Sequence, residues 1–387
     1  MRRAAFAAPV VALVLAGCGG GHHTSAAITA TPAVALADAP PRIAVSGADD
    51  AAIVVAVTHD ARGRTWTSRT RVADVRRDPT RPLWTLTHGR DFFVAPFPRF
   101  DVRLEVVEHG HAVAHATIAR RTVAPGVVAH EVRGGLYGER FDAPAAKPGP
   151  AVLVIGGSEG GLSTAGLAAM LASHGHPAMA LAYFGAPGLP SQLKDIPLEY
   201  FAHALRVLRR TADGRPVVVL GISRGGEAAL LIGATFPSLV QGVVALVPSN
   251  VVNPSTDGRF PAWTLGGRPV PHVRAMDFGD ADPVRTPAAV IRVERIKGPV
   301  LTASGGQDEL WPSYLYADTL QHRLAVHHFS YVHRNLYFEN AGHLLGGALP
   351  YLPTSASRRT GGTAAANEAA KAILWPRVLA FMGALQR

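Results

Sequence analysis

One serine in this chain of 387 residues stands where its neighbours could make it a nucleophile. Residues 217–220 are the apolar run VVVL, Gly221-Ile222-Ser223-Arg224-Gly225 fits G-x-S-x-G, and residues 227–236, EAALLIGATF, have helix-forming composition. Five residues alone are a weak pattern, but between a strand and a helix they read as a nucleophile elbow. There the turn strains the serine backbone, and the flanking glycines remove side chains that would collide with strand and helix. The plain alternative is a tight turn with a capping serine.

A serine hydroxyl attacks poorly near neutral pH, so a base must take its proton and a third group must orient that base. Residues 299–313, PVLTASGGQDELWPS, read as a strand, a glycine turn and a loop carrying Asp308. Asp277, Asp280 and Asp282 precede that strand, and Glu309 is the nearest competitor for the orienting role. Among 17 histidines, His343 closes the run LYFENAGH, a last strand followed by a small-residue loop from which an imidazole can reach back to the elbow. His322, His327, His328 and His333 fall in or before that strand. Ser223, Asp308 and His343 thus occur in the order nucleophile, acid, base.

Acyl transfer also needs donors aimed at the developing oxyanion. The backbone N–H of Arg224, directly after the nucleophile, is one. The other belongs to the loop after AVLVI, residues 156–161, GGSEGG, where Ser158 is the expected amide and Glu159 the alternative.

These residues need a sheet to carry them. AVLVI (151–155), PAMALAYF (177–184), VVVL (217–220), GVVALV (242–247) and PVLTA (299–303) are continuous apolar runs, and helical stretches separate them. That alternation predicts a doubly wound, mostly parallel sheet covered on both faces over residues 133–387. Residues 249–297 form a long insertion between core strands, a place for a cap over an acyl pocket. Trp263 and Phe278 are candidates to line it, or simply to pack it. Residues 42–132 differ: short alternating segments such as DVRLEV, with turns at residues 60–63 and 108–111, predict a small all-β, immunoglobulin-like sandwich.

With 38 basic against 28 acidic residues the net charge is +10, which invites a nucleic-acid reading. Only four of the basic residues are lysines and the arginines are scattered, so no nucleic-acid partner is expected. No metal or nucleotide motif appears either, and His22-His23 is too short to argue for a metal site. No cofactor is expected.

The N-terminus carries two arginines, an apolar stretch over residues 4–15 and then small residues, the layout of a secretory signal over residues 1–17. Leu15-Ala16-Gly17-Cys18 resembles a bacterial lipobox, and Cys18 is the only cysteine. Lipidation at Cys18 would anchor an exported chain to a membrane, the outer one in a two-membrane bacterium. Residues 18–41, rich in small residues and proline, then read as a flexible tether.

Beyond the elbow, AVLVIGGSEGGL, ALAYFGAPGLPSQLKDIPLEYFAHAL, GISRGGEAALLIGATFP, VPSNVV, ERIKGPVLTASGGQDELWPS and ENAGHLL together resemble the C-terminal domain of the acyl-CoA thioesterase and bile acid-CoA:amino acid N-acyltransferase family, over residues 133–360. The resemblance implies an α/β-hydrolase fold behind a β-sandwich, with Ser223, Asp308 and His343 as the triad. It also implies hydrolysis, since in this family serine goes with hydrolysis and cysteine with amino-acid conjugation.

An exported chain does not meet cytosolic acyl-CoA. Together the two expectations leave either a deceptive lipobox or a scaffold turned to an ester, thioester or amide outside the inner membrane. The readings are therefore a thioesterase or carboxylesterase acting on a small acyl substrate, an acyltransferase to an amine or alcohol, and a non-catalytic binding protein that keeps the fold.

Overall fold

The computed structural model describes residues 25–89, 91–144, 149–274 and 286–385. Cys18 with its signal region, residues 19–24 of the expected tether, and Asp277, Phe278, Asp280 and Asp282 lie outside the described residues. The chain divides into two compact units, one running to Thr122 and including Tyr351–Thr354, the other comprising Val123–Pro350 and Ser355–Arg387.

In the first unit, strands β1 (Ala27–Thr31), β2 (Val34–Leu36), β3 (Arg42–Ser46), β4 (Ile53–His59) and β5 (Thr65–Arg71) lead to two short helices, α1 (Val72–Arg77) and α2 (Arg81–Trp84). Strands β6 (Arg99–Glu108) and β7 (His111–Arg121) follow. A five-stranded sheet has the order β2-β7-β6-β4-β5, and β1 pairs with β3 in a second sheet. The alternation seen in the sequence is the burial pattern: every second residue of β5 is buried, with Trp66, Ser68 and Thr70 inward and the threonines and arginines between them exposed.

The tether expectation is corrected here. Residues 27–31 and 34–36 form β1 and β2, Ile28 is buried, and β1 runs antiparallel to β3 from Ala27 opposite Ser46 to Thr31 opposite Arg42. Small residues and prolines suggested a linker, yet backbone pairing needs no large side chain.

The second unit contains β8 (Val128–Val132), β9 (Tyr137–Asp142), β10 (Ala151–Ile155), α3 (Ala165–Ser173), β11 (Ala178–Ala182), β12 (Ile196–Pro197) and α4 (Leu198–Thr211). It continues through β13 (Val217–Ile222), α5 (Arg224–Thr235), β14 (Gly242–Leu246), β15 (Trp263–Leu265), β16 (Arg268–Pro269), β17 (Val300–Gly305), α6 (Ser313–Val326), β18 (His333–Phe338) and α7 (Ala364–Ala384). Eight strands make one sheet in the order β18-β17-β14-β13-β10-β11-β9-β8. All neighbours from β18 to β11 are parallel, while β9 pairs antiparallel with both β11 and β8. This is the strand order of an α/β-hydrolase fold.

The expected boundary at residue 132 shifts as well. β8 is an edge strand of the second unit's sheet and not the end of the first, because its residues pair with β9 from Val128 opposite Asp142 to Val132 opposite Gly138. Its first four residues are exposed, so it lacks the half-buried alternation that would have marked its sheet.

Strands β10, β11 and β14 are buried at every residue. Each large aliphatic side chain removed from water there contributes roughly 1.5–3 kcal/mol, which makes these strands the rigid floor of the unit. From β10 the chain crosses to β11 on one side and then returns to β13 on the other. The direction of winding thus reverses beside β10, and crevices for ligands form at the carboxyl ends of strands at such a point.

Candidate active site

The elbow forms as its sequence requires. Ser223 has φ 56° and ψ −120° between the end of β13 and the first residue of α5. A non-glycine residue held there costs on the order of 1–3 kcal/mol. The turn is clamped by Ser223 N–H donating to Leu246 O at 2.8 Å and Glu227 N–H donating to Ser223 O at 3.0 Å. Only glycine fits on either side: a Cβ on Gly221 would strike the Gly225 carbonyl, and one on Gly225 would strike the carbonyls of Ile155 and Gly156.

The three residues singled out in the sequence meet at the carboxyl edge of the sheet. His343 Nε2 lies 2.9 Å from Ser223 Oγ, and His343 Nδ1 lies 2.9 Å from Asp308 Oδ2 and 3.1 Å from Oδ1. An ionised carboxylate at Nδ1 holds the proton on that nitrogen and leaves the Nε2 lone pair facing the hydroxyl. Asp308 is fixed in turn, since its Oδ1 accepts the N–H groups of Leu310 at 3.1 Å and Trp311 at 3.3 Å. All three residues are buried. Glu309, the competitor for the acid, is left outside the triad contacts, and none of His322, His327, His328 and His333 reaches Ser223.

Trp311 is a site residue that the sequence reading passed over. Its ring stands edge-on to the His343 imidazole, 5.9 Å between centroids, and its Nε1 donates to Val247 O at 3.0 Å. Val247 itself has φ 43°, an unusual conformation for a β-branched residue, just past β14. A tryptophan three residues after a candidate acid was the available signal.

The loop after β10 approaches the nucleophile. A Cβ on Gly157 would lie 3.2 Å from Ser223 Cβ. Gly157 N–H donates to Glu159 Oε1 at 3.0 Å, and Ser163 Oγ donates to the same oxygen at 2.6 Å. Among the described residues the next amide, Ser158 N–H, finds no acceptor. Arg224 N–H, at the first position of α5, has no intrahelical partner either.

The Arg224 side chain turns away into the protein. Its guanidinium lies 3.3 Å from Glu227 Oε2 and donates to Pro254 O at 2.9 Å. Glu227 also accepts Trp263 Nε1 at 2.8 Å and Asn253 Nδ2 at 2.8 Å. This buried network staples the 249–263 part of the insertion to α5. Trp263, fully buried against Tyr183 and Phe201, has the packing role and not the lining one.

A cavity of about 240 Å³ bounded by Asn250, Ile291, Leu320 and Val326 is lined by none of Ser223, Asp308 and His343. Among the described residues no three His, Cys, Asp or Glu side chains gather as metal ligands, and no helix is long and apolar enough to cross a membrane.

The geometry can deprotonate Ser223 and present it to an electrophilic carbon beside two unpaired amides. Residues 196–385 match the model of the BAAT / acyl-CoA thioester hydrolase C terminal. Acyl-coenzyme A thioesterase 1 of Mus musculus is 33% identical over 267 residues, covering 65% of this chain and 62% of that protein. Acyl-coenzyme A thioesterase 6 of Mus musculus is 30% identical over 291 residues, covering 71% and 67%. The chain thus spans less than two thirds of the length of the first of these relatives. Among solved structures, a putative dienelactone hydrolase from Klebsiella pneumoniae superposes with TM-score 0.46 at 17% identity, over 66% of this chain and 98% of that one. A relative 30% identical, two thirds of whose length this chain covers, and the family-model match lead to one conclusion: the chain belongs to the BAAT / acyl-CoA thioester hydrolase family.

Proposed function

We propose that this chain is a serine hydrolase of acyl thioesters, working through an acyl-enzyme on Ser223. The observation that carries the reading is the 2.9 Å approach of His343 Nε2 to a serine oxygen held on a strained elbow. Ser223 Oγ attacks the thioester carbonyl while its proton passes to His343 Nε2. The carbonyl oxygen becomes an oxyanion facing the N–H groups of Arg224 and Ser158, each worth about 3–4 kcal/mol in the transition state. The tetrahedral intermediate collapses, the C–S bond breaks, and the thiol leaves with the proton from His343. Water then attacks the acyl ester, gives its proton to His343 Nε2, and the acid is released as Ser223 recovers that proton. Asp308 stabilises the imidazolium at both stages.

The triad does not choose the leaving group, so oxygen esters are the alternative substrates. The relatives are named acyl-coenzyme A thioesterases, which favours the thioester. The test is incubation with a fluorophosphonate probe, alongside turnover of long-chain acyl-CoA and p-nitrophenyl esters. Labelling and turnover that vanish in Ser223→Ala support the reading; an unlabelled, folded parent protein sinks it. Competing glycine or taurine in the same assay reports an acyltransferase through conjugated product.

For localisation, the Leu15-Ala16-Gly17-Cys18 stretch supports a lipid anchor at Cys18 on an exported chain. Metabolic labelling with an alkynyl fatty acid in a bacterial host should mark the parent and not Cys18→Ala.

A further inference from the structure

Tyr183, just past the end of β11, has a buried hydroxyl with an uncommon pair of partners. Its oxygen lies 3.0 Å from the carbonyl of Gly156 and 3.0 Å from that of Gly157. Carbonyls only accept, so the phenol is the donor and shares one proton between them. Burial, aided by the Glu159 and Glu227 carboxylates, pushes the phenol above its ordinary range and keeps it protonated.

The second carbonyl matters most. A trans peptide points its C=O and N–H in opposite directions, and the unit that carries the Gly157 carbonyl also carries the Ser158 N–H. Holding that carbonyl at Tyr183 turns the Ser158 N–H away from the tyrosine, at a residue whose neighbour Gly157 lies against Ser223. The Gly157 N–H is already committed to Glu159, so the loop offers Ser158 and not Gly157 as the donor. Phenol donation also polarises the peptide and strengthens its N–H as a donor.

We infer that Tyr183 is a positioning residue of the oxyanion site, setting the direction and strength of the Ser158 N–H through the Gly157 carbonyl. The inference rests on the acyl-enzyme reading above. The ring is held independently of the hydroxyl, by Phe184, Phe201 and Trp263 at centroid distances of 5.0, 5.5 and 5.6 Å, so removing one oxygen leaves its packing in place.

The test is Tyr183→Phe, checked for folding by circular dichroism. The expected result is a fall in kcat on p-nitrophenyl esters of about tenfold or more, with KM within about twofold, since a weakened oxyanion donor acts in the transition state. A trifluoromethyl ketone, which forms an oxyanion adduct on Ser223, should lose affinity in parallel, and the carbonyl band of the acyl-enzyme should move to higher wavenumber. A folded variant with parental kcat and inhibitor affinity overturns the inference. Should Tyr183→Phe not fold, 3-fluorotyrosine at 183, a stronger donor of nearly equal size, should move the band to lower wavenumber; an unmoved band overturns it. A parent that fluorophosphonate does not label sinks the underlying reading and this one together, whereas a labelled parent with an indifferent Tyr183→Phe sinks only the assignment to Tyr183.

Discussion

The Asn367 side-chain oxygen accepts the Gly342 N–H at 2.7 Å, so α7 holds the peptide immediately before His343. Asn367 is fully buried, and its Nδ2 donates to Ser355 O at 3.1 Å. His343 N–H donates to Thr360 O at 2.8 Å, giving the loop a second hold.

Asn367→Ala should therefore strand a buried N–H, at about 1–3 kcal/mol, and loosen the imidazole. The expected outcome is a kcat several-fold to tenfold lower with KM little changed. Asn367→Asp keeps an acceptor for Gly342 and should recover more of kcat than of thermal stability, because the donor to Ser355 is lost. Equal kcat in all three proteins would remove Asn367 from the positioning of His343.

Asp308→Asn keeps the shape of the site and takes away the charge that fixes the His343 tautomer. An amide presenting its N–H₂ to Nδ1 would drive the proton onto Nε2, where it faces Ser223 Oγ and blocks the base. A loss of kcat on the order of 10⁴ is expected, read as steady-state ester turnover. A loss under about tenfold would mean that another carboxylate orients the histidine.

The core strands, the elbow and the three residues that meet beside it could be read from sequence for one physical reason. Parallel strands buried on both faces must be continuous apolar runs, and the chemistry sits in the loops where those runs stop. β10 was read to the residue, Ser223 and Asp308 each follow such a run, and His343 follows the sheet-edge strand β18, whose apolar residues are confined to its Leu-Tyr-Phe end. What escaped lacks a periodic signal. β8 is exposed at four of its five positions, β1 and β2 are short and small-sided, and α6 opens on Ser-Tyr-Leu-Tyr with no clean apolar stripe. Asn367 and Tyr183 each reach two backbone groups from a distant element, and no local pattern announces such contacts.

Gly225→Ala tests the close approach of α5 to β10. The added methyl would meet two backbone carbonyls, of Ile155 and Gly156, which cannot swing aside as a side chain can. Destabilisation of about 3 kcal/mol or more is expected, with loss of fluorophosphonate labelling because the loop that approaches Ser223 begins at Gly156. Chemical denaturation gives the first quantity. A variant of parental stability would show that the helix can move.

Asp60, at the turn between β4 and β5, ties pH to the stability of the first unit. Burial alone would raise its carboxyl, but hydrogen bonds from the Arg64 side chain and from Arg64 N–H, Trp66 Nε1 and Arg62 N–H outweigh burial and hold it well below its ordinary 3.8. With the folded value depressed, the stabilisation is complete above the unfolded value and is lost as pH falls below about 3.8 toward the folded one. Melting of the isolated transition of this unit should fall steeply in that window for the parent. In Asp60→Asn it should start several degrees lower at neutral pH and change less with acid. Parallel curves for the two proteins would remove Asp60 as the cause.

Lys371 and Glu368, one turn apart on α7, form a buried ion pair with Nζ 3.2 Å from Oε2 and both side chains 6% exposed. Burial lowers the lysine from its ordinary 10.5, against the pull of Glu368 in the other direction. The unfolded chain then binds this proton more tightly than the folded one, so the contribution of Lys371 to stability rises with pH in the window just below 10.5. Removing one partner is worse than removing both. Glu368→Gln leaves a buried cation without its carboxylate and should cost about 3–5 kcal/mol in urea unfolding, whereas Glu368→Leu combined with Lys371→Met should return most of that loss. Because α7 also supplies Asn367 to the His343 loop, Glu368→Gln should lower the temperature at which activity is lost, and the double variant should restore it. A double variant no more stable than Glu368→Gln would show that other contacts of the pair, and not the stranded charge, set the cost.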